Sequence, residues 1–311
     1  MRKIFYLLIF MVCFLSLVYI MIDFDFSIYI FKKRILELFS IILVSICISV
    51  STIIFQTITN NKILTPSIIG LDSLYILIQT LLVFFLSSSN ISVINQEVNF
   101  FISLFCMMVF TLVFYKILFK SNANIYFILL LGLIFGTLFS SLSLFFEVLI
   151  DPNEFMVVQG RMFASFNNIQ VELILLSCTM LCFVLFLLLK DFKYLDVLSL
   201  GRDNAINLGI SYDYFVKKNL IFIAILISIS TALVGPITFL GLLVVNITYE
   251  VAKTYKHSIL IPLTILISIF VLIAGIFITS KIFHFNTTIS VVINFLGGIY
   301  FIYLVLKGHR I

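Results

Sequence analysis

The sequence predicts an all-α membrane protein that crosses the bilayer about ten times as helices. Hydrophobic residues make up 63% of the chain, charged residues make up 11%, and the mean hydropathy is +1.27. This charged fraction is too small to solvate the surface of a soluble domain. The apolar residues also occur in long unbroken runs, as in 4–22 and 220–234, rather than in the alternating pattern of a β-barrel.

The apolar runs define ten predicted spans, separated by connections that hold most of the charges and turn-forming residues. The first run is longer than the apolar part of a signal peptide, so we interpret it as a span. The predicted spans are 4–22, 35–58, 73–88, 98–118, 125–146, 171–189, 220–234, 237–252, 259–280 and 288–306.

The Lys and Arg residues of the connections set the predicted orientation, because these residues concentrate on the cytoplasmic side of membrane proteins. When the N-terminus is placed in the cytoplasm, most of the 19 Lys and Arg residues fall on the inner side. The exceptions, on the outer side, are Lys32, Lys33, Arg34, Arg161 and Lys281. Both termini are therefore predicted to be cytoplasmic.

The longest inner connection covers residues 190–218, within a predicted single transmembrane domain that covers residues 1–311. Loops of this length between closely connected helices usually have a function. Residues 198–209 are predicted to form a short amphipathic helix there. Ser199 would cap its beginning, and Gly209 would end it.

The residue patterns of the common enzyme classes are missing from the sequence. His257, His284 and His309 are predicted to lie in loops or in the tail, far apart in the topology. A phosphate-binding P-loop requires a Gly-Lys pair, and the sequence contains none. We therefore expect neither nucleotide hydrolysis nor a catalytic or metal site in this chain.

Carboxylates near the centre of a span would indicate proton or ion coupling. Asp72, Glu172 and Glu250 lie within a few residues of predicted span ends. This position weighs against an ion-coupled secondary transporter, which stays open as a second class of function. A membrane-embedded enzyme is a third class, and it would need His, Asp or Cys clustered at one depth.

Three segments together resemble a known family over nearly the whole chain. They read Asn61-Lys-Ile-Leu-Thr-Pro-Ser-Ile-Ile-Gly70, then Leu200-Gly201 with Ala205 and Leu208-Gly209, and finally Gly235-Pro-Ile-Thr-Phe-Leu-Gly-Leu242. Their residues and spacing resemble the FecCD family, the permease subunits of ABC importers for ferric siderophores and vitamin B12. The resemblance implies a type II importer permease fold with ten spans and both ends inside.

The resemblance also implies a function and its partners. The expected function is import of a ferric siderophore across the cytoplasmic membrane of a bacterium. The sequence of residues 59–67 resembles that of the family members that import catecholate siderophores such as petrobactin. Vitamin B12 or haem stays an alternative substrate. Expected partners are a separate ABC ATPase, an extracytoplasmic binding protein, and a second permease subunit that is a copy or a homologue. No cofactor and no nucleic acid partner is expected.

Two groups of residues take roles from this resemblance at the ends of the spans. The inner helix would dock into a cleft of the ATPase, although an ordinary helix lying on the membrane surface is the alternative. Its residues are Leu200, Gly201, Arg202, Asp203, Ala205, Leu208 and Gly209. Lys33 and Arg34 would bind the extracytoplasmic protein, or would simply anchor a span at the interface. Glu37 stands where the family often has a second arginine.

A third group is expected along the substrate pathway. Gly160, Arg161 and Met162 correspond to a stretch near the outer mouth, where Arg161 could attract an anionic chelate or pair with Asp151 or Glu154. Gly132 and Gly136 form a face of small residues on the fifth span, which the resemblance places beside the pathway. Helix packing alone would also explain this pair.

Overall fold

The computed structural model describes residues 2–21, 28–87, 95–120, 125–167, 169–283 and 287–308. These parts of the chain form thirteen α-helices and one short 3-10 turn, Pro66–Ile69. The helices are α1 (Arg2–Met21), α2 (Ile28–Thr59), α3 (Leu71–Leu86), α4 (Gln96–Lys120), α5 (Ile125–Leu149), α6 (Pro152–Met162), α7 (Val171–Leu189), α8 (Phe192–Leu198), α9 (Arg202–Asn207), α10 (Tyr212–Val234), α11 (Leu240–Ala252), α12 (His257–Lys281) and α13 (Ile289–Gly308).

Ten of these helices are apolar, and each overlaps one of the ten predicted spans. Helices α1, α2, α4, α5, α7, α10 and α12 are long and apolar enough to cross a membrane, while α3, α11 and the Ile289–Leu304 part of α13 are shorter apolar helices. The remaining helices, α6, α8 and α9, lie in the two long connections. The prediction of an all-helical polytopic membrane protein is confirmed.

Three predicted span boundaries are wrong. Helix α2 begins at Ile28 and already contains Lys32–Arg34, whose long side chains can extend toward the outer surface from within a helix. Helix α10 begins at Tyr212, so the last part of the inner connection is helical. Helix α11 begins only at Leu240, because Gly235 has φ 102° and the following proline has no N–H to donate.

The core is built around α2, α10, α11 and α12, whose apolar side chains are largely buried. Helices α1, α5 and α13 instead expose large apolar side chains, including Phe10, Phe145 and Phe295. Such faces are stable against lipid or a second subunit, since lipid tails are as apolar as the side chains themselves.

Non-helical backbone between α2 and α3, and between α10 and α11, packs against the helices of the bundle. The Lys62 carbonyl accepts hydrogen bonds from Gln56 Nε2 at 2.8 Å and Asn246 Nδ2 at 3.0 Å. The Phe239 N–H donates to Asn294 Oδ1 at 3.4 Å. Irregular backbone inside a membrane bundle requires partners of this kind, because hydrocarbon offers none.

Candidate coupling, docking and pathway sites

The inner segment, residues 190–218, contains α8, α9 and the first turns of α10. Helix α9 ends at Asn207, and Gly209, the residue predicted to terminate it, follows with φ 82°. The Gly209 N–H donates to the Ile206 carbonyl at 2.9 Å, and the Ile210 N–H donates to the Ala205 carbonyl at 3.0 Å. These two bonds form a Schellman motif, whose left-handed position favours glycine.

The predicted beginning of this helix is wrong. Ser199 does not cap it, since Ser199 ends α8 and donates its hydroxyl to the Asp196 carbonyl at 2.7 Å. The N-cap of α9 is Gly201, at φ 92°. The stretch predicted as one helix is therefore divided between the end of α8 and α9, with a glycine at the bend.

The predicted coupling residues form one compact feature on the inner side. Leu200, Ile206 and Leu208 are 54%, 49% and 61% exposed, whereas Ala205 is buried beneath them. Arg202 is exposed and its Nη2 atom lies 3.5 Å from Asp213 Oδ2. Asp203 is also exposed. The feature therefore presents apolar side chains with charges beside them.

The inner segment is tied firmly to the bundle. Leu195 and Leu198 of α8 are fully buried. Lys218 Nζ lies 2.7 Å from Asp191 Oδ2, and this aspartate is itself buried. The Tyr212 hydroxyl donates to the Ile58 carbonyl at the end of α2 at 3.3 Å. A displacement of the exposed face would therefore act on α2 and α10.

One further attachment of the inner segment was not predicted. His257, predicted to lie in a loop, is the first residue of α12 and is 2% exposed. Its Nδ1 atom lies 2.6 Å from Asp196 Oδ1. The two residues are 61 positions apart, so no sequence spacing relates them. The other two histidines, at 284 and 309, lie outside the described residues.

The predicted docking residues lie on the outer side, around a cavity of about 460 Å³. Lys33 and Arg34 line this cavity together with Glu37 and Lys281. Arg34 Nη1 donates to the carbonyls of Tyr19 at 2.8 Å and Ile20 at 3.1 Å, near the end of α1. The Arg34 guanidinium thus holds a helix terminus in addition to any contact with a partner.

Glu37 faces the interior of this outer feature. It is buried, and its Oε2 atom accepts a hydrogen bond from the Tyr19 hydroxyl at 2.5 Å. A carboxylate buried in apolar surroundings needs such a donor, because an unpaired charge there is costly. Glu37 thus joins α2 to α1.

Arg161 lies at the end of α6 and points to a polar network inside the bundle. Its Nη1 atom donates to Gln79 Oε1 at 2.6 Å, and Gln79 Nε2 donates to Ser103 Oγ at 2.7 Å and Asn99 Oδ1 at 3.0 Å. Burial lowers the pKa of Arg161, whereas Tyr75 opposes this shift. The guanidinium and its neighbours border a cavity of about 250 Å³.

The other predicted pathway residues divide between two places. Gly132 and Gly136 on α5 pack on the backbone before α3, where a Cβ on Gly132 would lie 2.9 Å from Ile69 Cα. Gly160 on α6 is open, with no atom within 4 Å of an added Cβ. Met162 packs against a small apolar cluster around Val158. Close packing therefore explains why these two α5 positions are glycine. Their place on the pathway stays a prediction.

Among the described residues, no three His, Cys, Asp or Glu side chains are grouped so that they could hold a metal ion.

The chain matches the model of the FecCD transport family over residues 4–307. It belongs to the FecCD transport family. A FecCD chain is the permease subunit of an ABC transporter and is not itself an enzyme.

Relatives of this FecCD chain extend over most of its length. The petrobactin import system permease protein YclO of Bacillus subtilis (strain 168) is 56% identical over 288 residues, which are 91% of this chain and 90% of YclO. The petrobactin import system permease protein FatC of Bacillus anthracis is 38% identical over 277 residues, 89% of this chain and 78% of FatC.

The fold is also similar to that of a solved transporter. This structure, an inward-facing ABC transporter assigned to the metal-chelate type, has a TM-score of 0.86 at 19% identity. The match covers 99% of this chain and 100% of the solved one. The similarity shows that the bundle has the overall fold of such a permease.

Two of the FecCD motifs contain glycines at which an added Cβ would meet a neighbouring residue. A Cβ on Gly70 would meet Gly136, a Cβ on Gly235 would lie 3.2 Å from Ala164 Cα, and a Cβ on Gly241 would collide with Thr52. Glycine allows these approaches without any displacement of the neighbouring atoms. The motifs around residues 70 and 235 thus have a structural role, whereas the motif of the inner segment is largely exposed.

Proposed function

We propose that this chain is a membrane permease for a ferric siderophore, with the catecholate petrobactin as the substrate. The observation that carries the proposal is the 56% identity to YclO, a petrobactin import permease, over 90% of its length. The few charges inside the spans agree with a pathway that lets a large chelate pass without binding it tightly.

A separate ABC ATPase supplies the energy in this proposal and docks on the inner segment. A motor protein can move a membrane bundle only through a rigid contact. The exposed side chains of Leu200, Ile206 and Leu208 offer an apolar face of that kind. The buried Ala205 and the two glycines at the ends of α9 set the shape of this face.

An extracytoplasmic siderophore-binding protein delivers the chelate at the outer side. Lys33, Arg34 and Lys281 surround one outer cavity and give it a positive rim. Acidic side chains of the binding protein are the complementary partner. Charge complementarity of this type steers the encounter of two proteins and is weakened by salt.

The second permease subunit is a different, homologous chain in this proposal. Petrobactin import permeases named YclN and FatD, from the same two organisms as YclO and FatC, are 29% and 24% identical to this chain. Each organism therefore has at least two such permeases, and this chain is more similar to YclO and FatC than to YclN and FatD.

Uptake of radiolabelled ferric petrobactin in cells with and without this gene tests the function. We expect uptake to require the chain and an intact ATPase, and a matched ferric hydroxamate should enter equally in both strains. Uptake that persists when the partner ATPase cannot hydrolyse ATP would favour the ion-coupled class. Unchanged petrobactin uptake with a loss of vitamin B12 or haem uptake would overturn the substrate assignment.

A further inference from the structure

Asp196 on α8 caps the beginning of α12. Its Oδ1 atom accepts a hydrogen bond from the His257 backbone N–H at 2.8 Å and lies 2.6 Å from His257 Nδ1. Backbone N–H groups in the first turn of a helix have no partner within that helix and carry partial positive charge. A carboxylate at this place binds both the helix terminus and the ring, so α8 and α12 are joined at one residue.

The other ring nitrogen of His257 reaches α2. Its Nε2 atom lies 2.7 Å from Thr57 Oγ1, and the same hydroxyl lies 2.8 Å from the Ile53 carbonyl. His257 and Thr57 are both buried. Hydrogen bonds shielded from water in this way are stronger than those at the surface. One imidazole therefore connects α8, α12 and α2.

Proton counting shows that the link needs no particular charge on the ring. A carboxylate without a proton only accepts, so Nδ1 carries hydrogen toward Asp196. The Thr57 hydroxyl has one hydrogen. If the hydroxyl donates to the Ile53 carbonyl, Nε2 carries a hydrogen and donates to Thr57, so the ring is positively charged. If the hydroxyl donates to Nε2 instead, the ring is neutral. Both arrangements keep all three helices joined.

We propose that His257 is a positioning residue that transmits movement of the inner segment to the membrane spans. The inference rests on the proposed function, in which an ATPase pushes on the exposed face at α9. Helix α9 is only six residues long, and it contacts α8 and α10. Helix α8 in turn contacts α2 and α12. Apolar contacts can slide, whereas the directional bonds of His257 hold α8 at a fixed distance from α2 and α12.

The test compares two isosteric changes on the same turn of α2. Thr57→Val removes the hydroxyl that faces His257. Thr59→Val removes a hydroxyl that bonds only to α2 backbone, at the Phe55 and Gln56 carbonyls, and serves as the matched control. The full importer, with its ATPase, binding protein and second permease, is reconstituted in vesicles. ATP hydrolysis and uptake of radiolabelled ferric petrobactin are measured on the same sample.

We expect Thr57→Val to assemble and hydrolyse ATP normally but to import about fivefold less chelate per ATP, the factor that corresponds to one net hydrogen bond. Thr59→Val and Thr57→Ser should match the wild type. Equal import per ATP in the two valine variants would overturn the inference, as would loss of assembly in Thr57→Val alone, which would make the link merely structural. Failure of the wild-type complex to import the chelate would instead overturn the proposed function.

Discussion

Replacing Gly70 with alanine tests the contact between α5 and the turn before α3. Gly70 has φ 85°, and a Cβ there would lie 2.7 Å from Gly136 Cα and 2.8 Å from Gly136 N. Both atoms are backbone and cannot rotate away. The left-handed conformation costs a residue with a Cβ about 1–2 kcal/mol, and overpacking typically adds about 1–3 kcal/mol. The free energy of unfolding should therefore fall by about 2–5 kcal/mol.

Two other glycines separate the conformational cost from the clash. Gly209 has φ 82° but no atom within 4 Å of an added Cβ, so Gly209→Ala should lose only the conformational part, about 1–2 kcal/mol. Gly160 lies within α6, and it also has open space around it. Gly160→Ala should be neutral or stabilise the helix by up to about 1 kcal/mol.

The assay is unfolding of the purified chain in mixed micelles of mild detergent and SDS, followed by far-ultraviolet circular dichroism. The expected order of stability is Gly160→Ala at or above wild type, then Gly209→Ala, then Gly70→Ala. If Gly70→Ala is as stable as Gly209→Ala, Gly136 does not approach Gly70 closely, and the packing argued for α5 is wrong.

Three further predictions concern the other sites. Leu208→Asp places a charge on the exposed apolar face, so the ATPase should no longer copurify with the permease. Lys33→Glu should slow association of the binding protein about tenfold at low salt and much less at high salt, as followed by surface plasmon resonance. Arg161→Met removes the guanidinium bonded to Gln79 and should destabilise the chain by about 1–3 kcal/mol in the mixed-micelle assay.

The first two of these changes have a control of the same chemistry. Asn207→Asp adds the same charge beside Leu208 without removing an apolar side chain, and it should retain the ATPase. Lys193→Glu, on the inner side, should leave the binding protein unaffected. Copurification of the ATPase with Leu208→Asp would contradict docking on that face, and equal association rates for both lysine variants would contradict docking at Lys33.

The spans could be predicted because hydrocarbon imposes one rule on every segment that crosses it. Ten apolar runs correspond to ten apolar helices for this reason. The ends of the spans were harder, since polar residues can continue a helix beyond the membrane, as at Tyr212, or a Gly-Pro pair can delay one inside it, as at Leu240. Gly209 correctly predicted the end of α9, because this type of helix end needs a left-handed residue, and that need depends only on the local sequence.

The candidate sites were predicted in outline, without their internal partners. The exposed face at Leu200 and Leu208 follows from apolar residues at a distance from any span. The contacts of Arg161 with Gln79 and of His257 with Asp196 join residues that are 82 and 61 positions apart. Such pairs depend on how helices pack against each other, and a single sequence contains no periodic signal for that.

The position of Arg34 has a consequence for docking at the outer surface. Its guanidinium already binds two carbonyl oxygens at the end of α1. A carboxylate that accepted from the same Nη1 atom would compete with these oxygens, and part of the docking energy would then be used to release the helix end. Such coupling is reciprocal: the free energy by which the α1 contact weakens binding of the carboxylate equals the free energy by which the bound carboxylate weakens the α1 contact. In the proposed complex, such docking would loosen the end of the first helix of the permease.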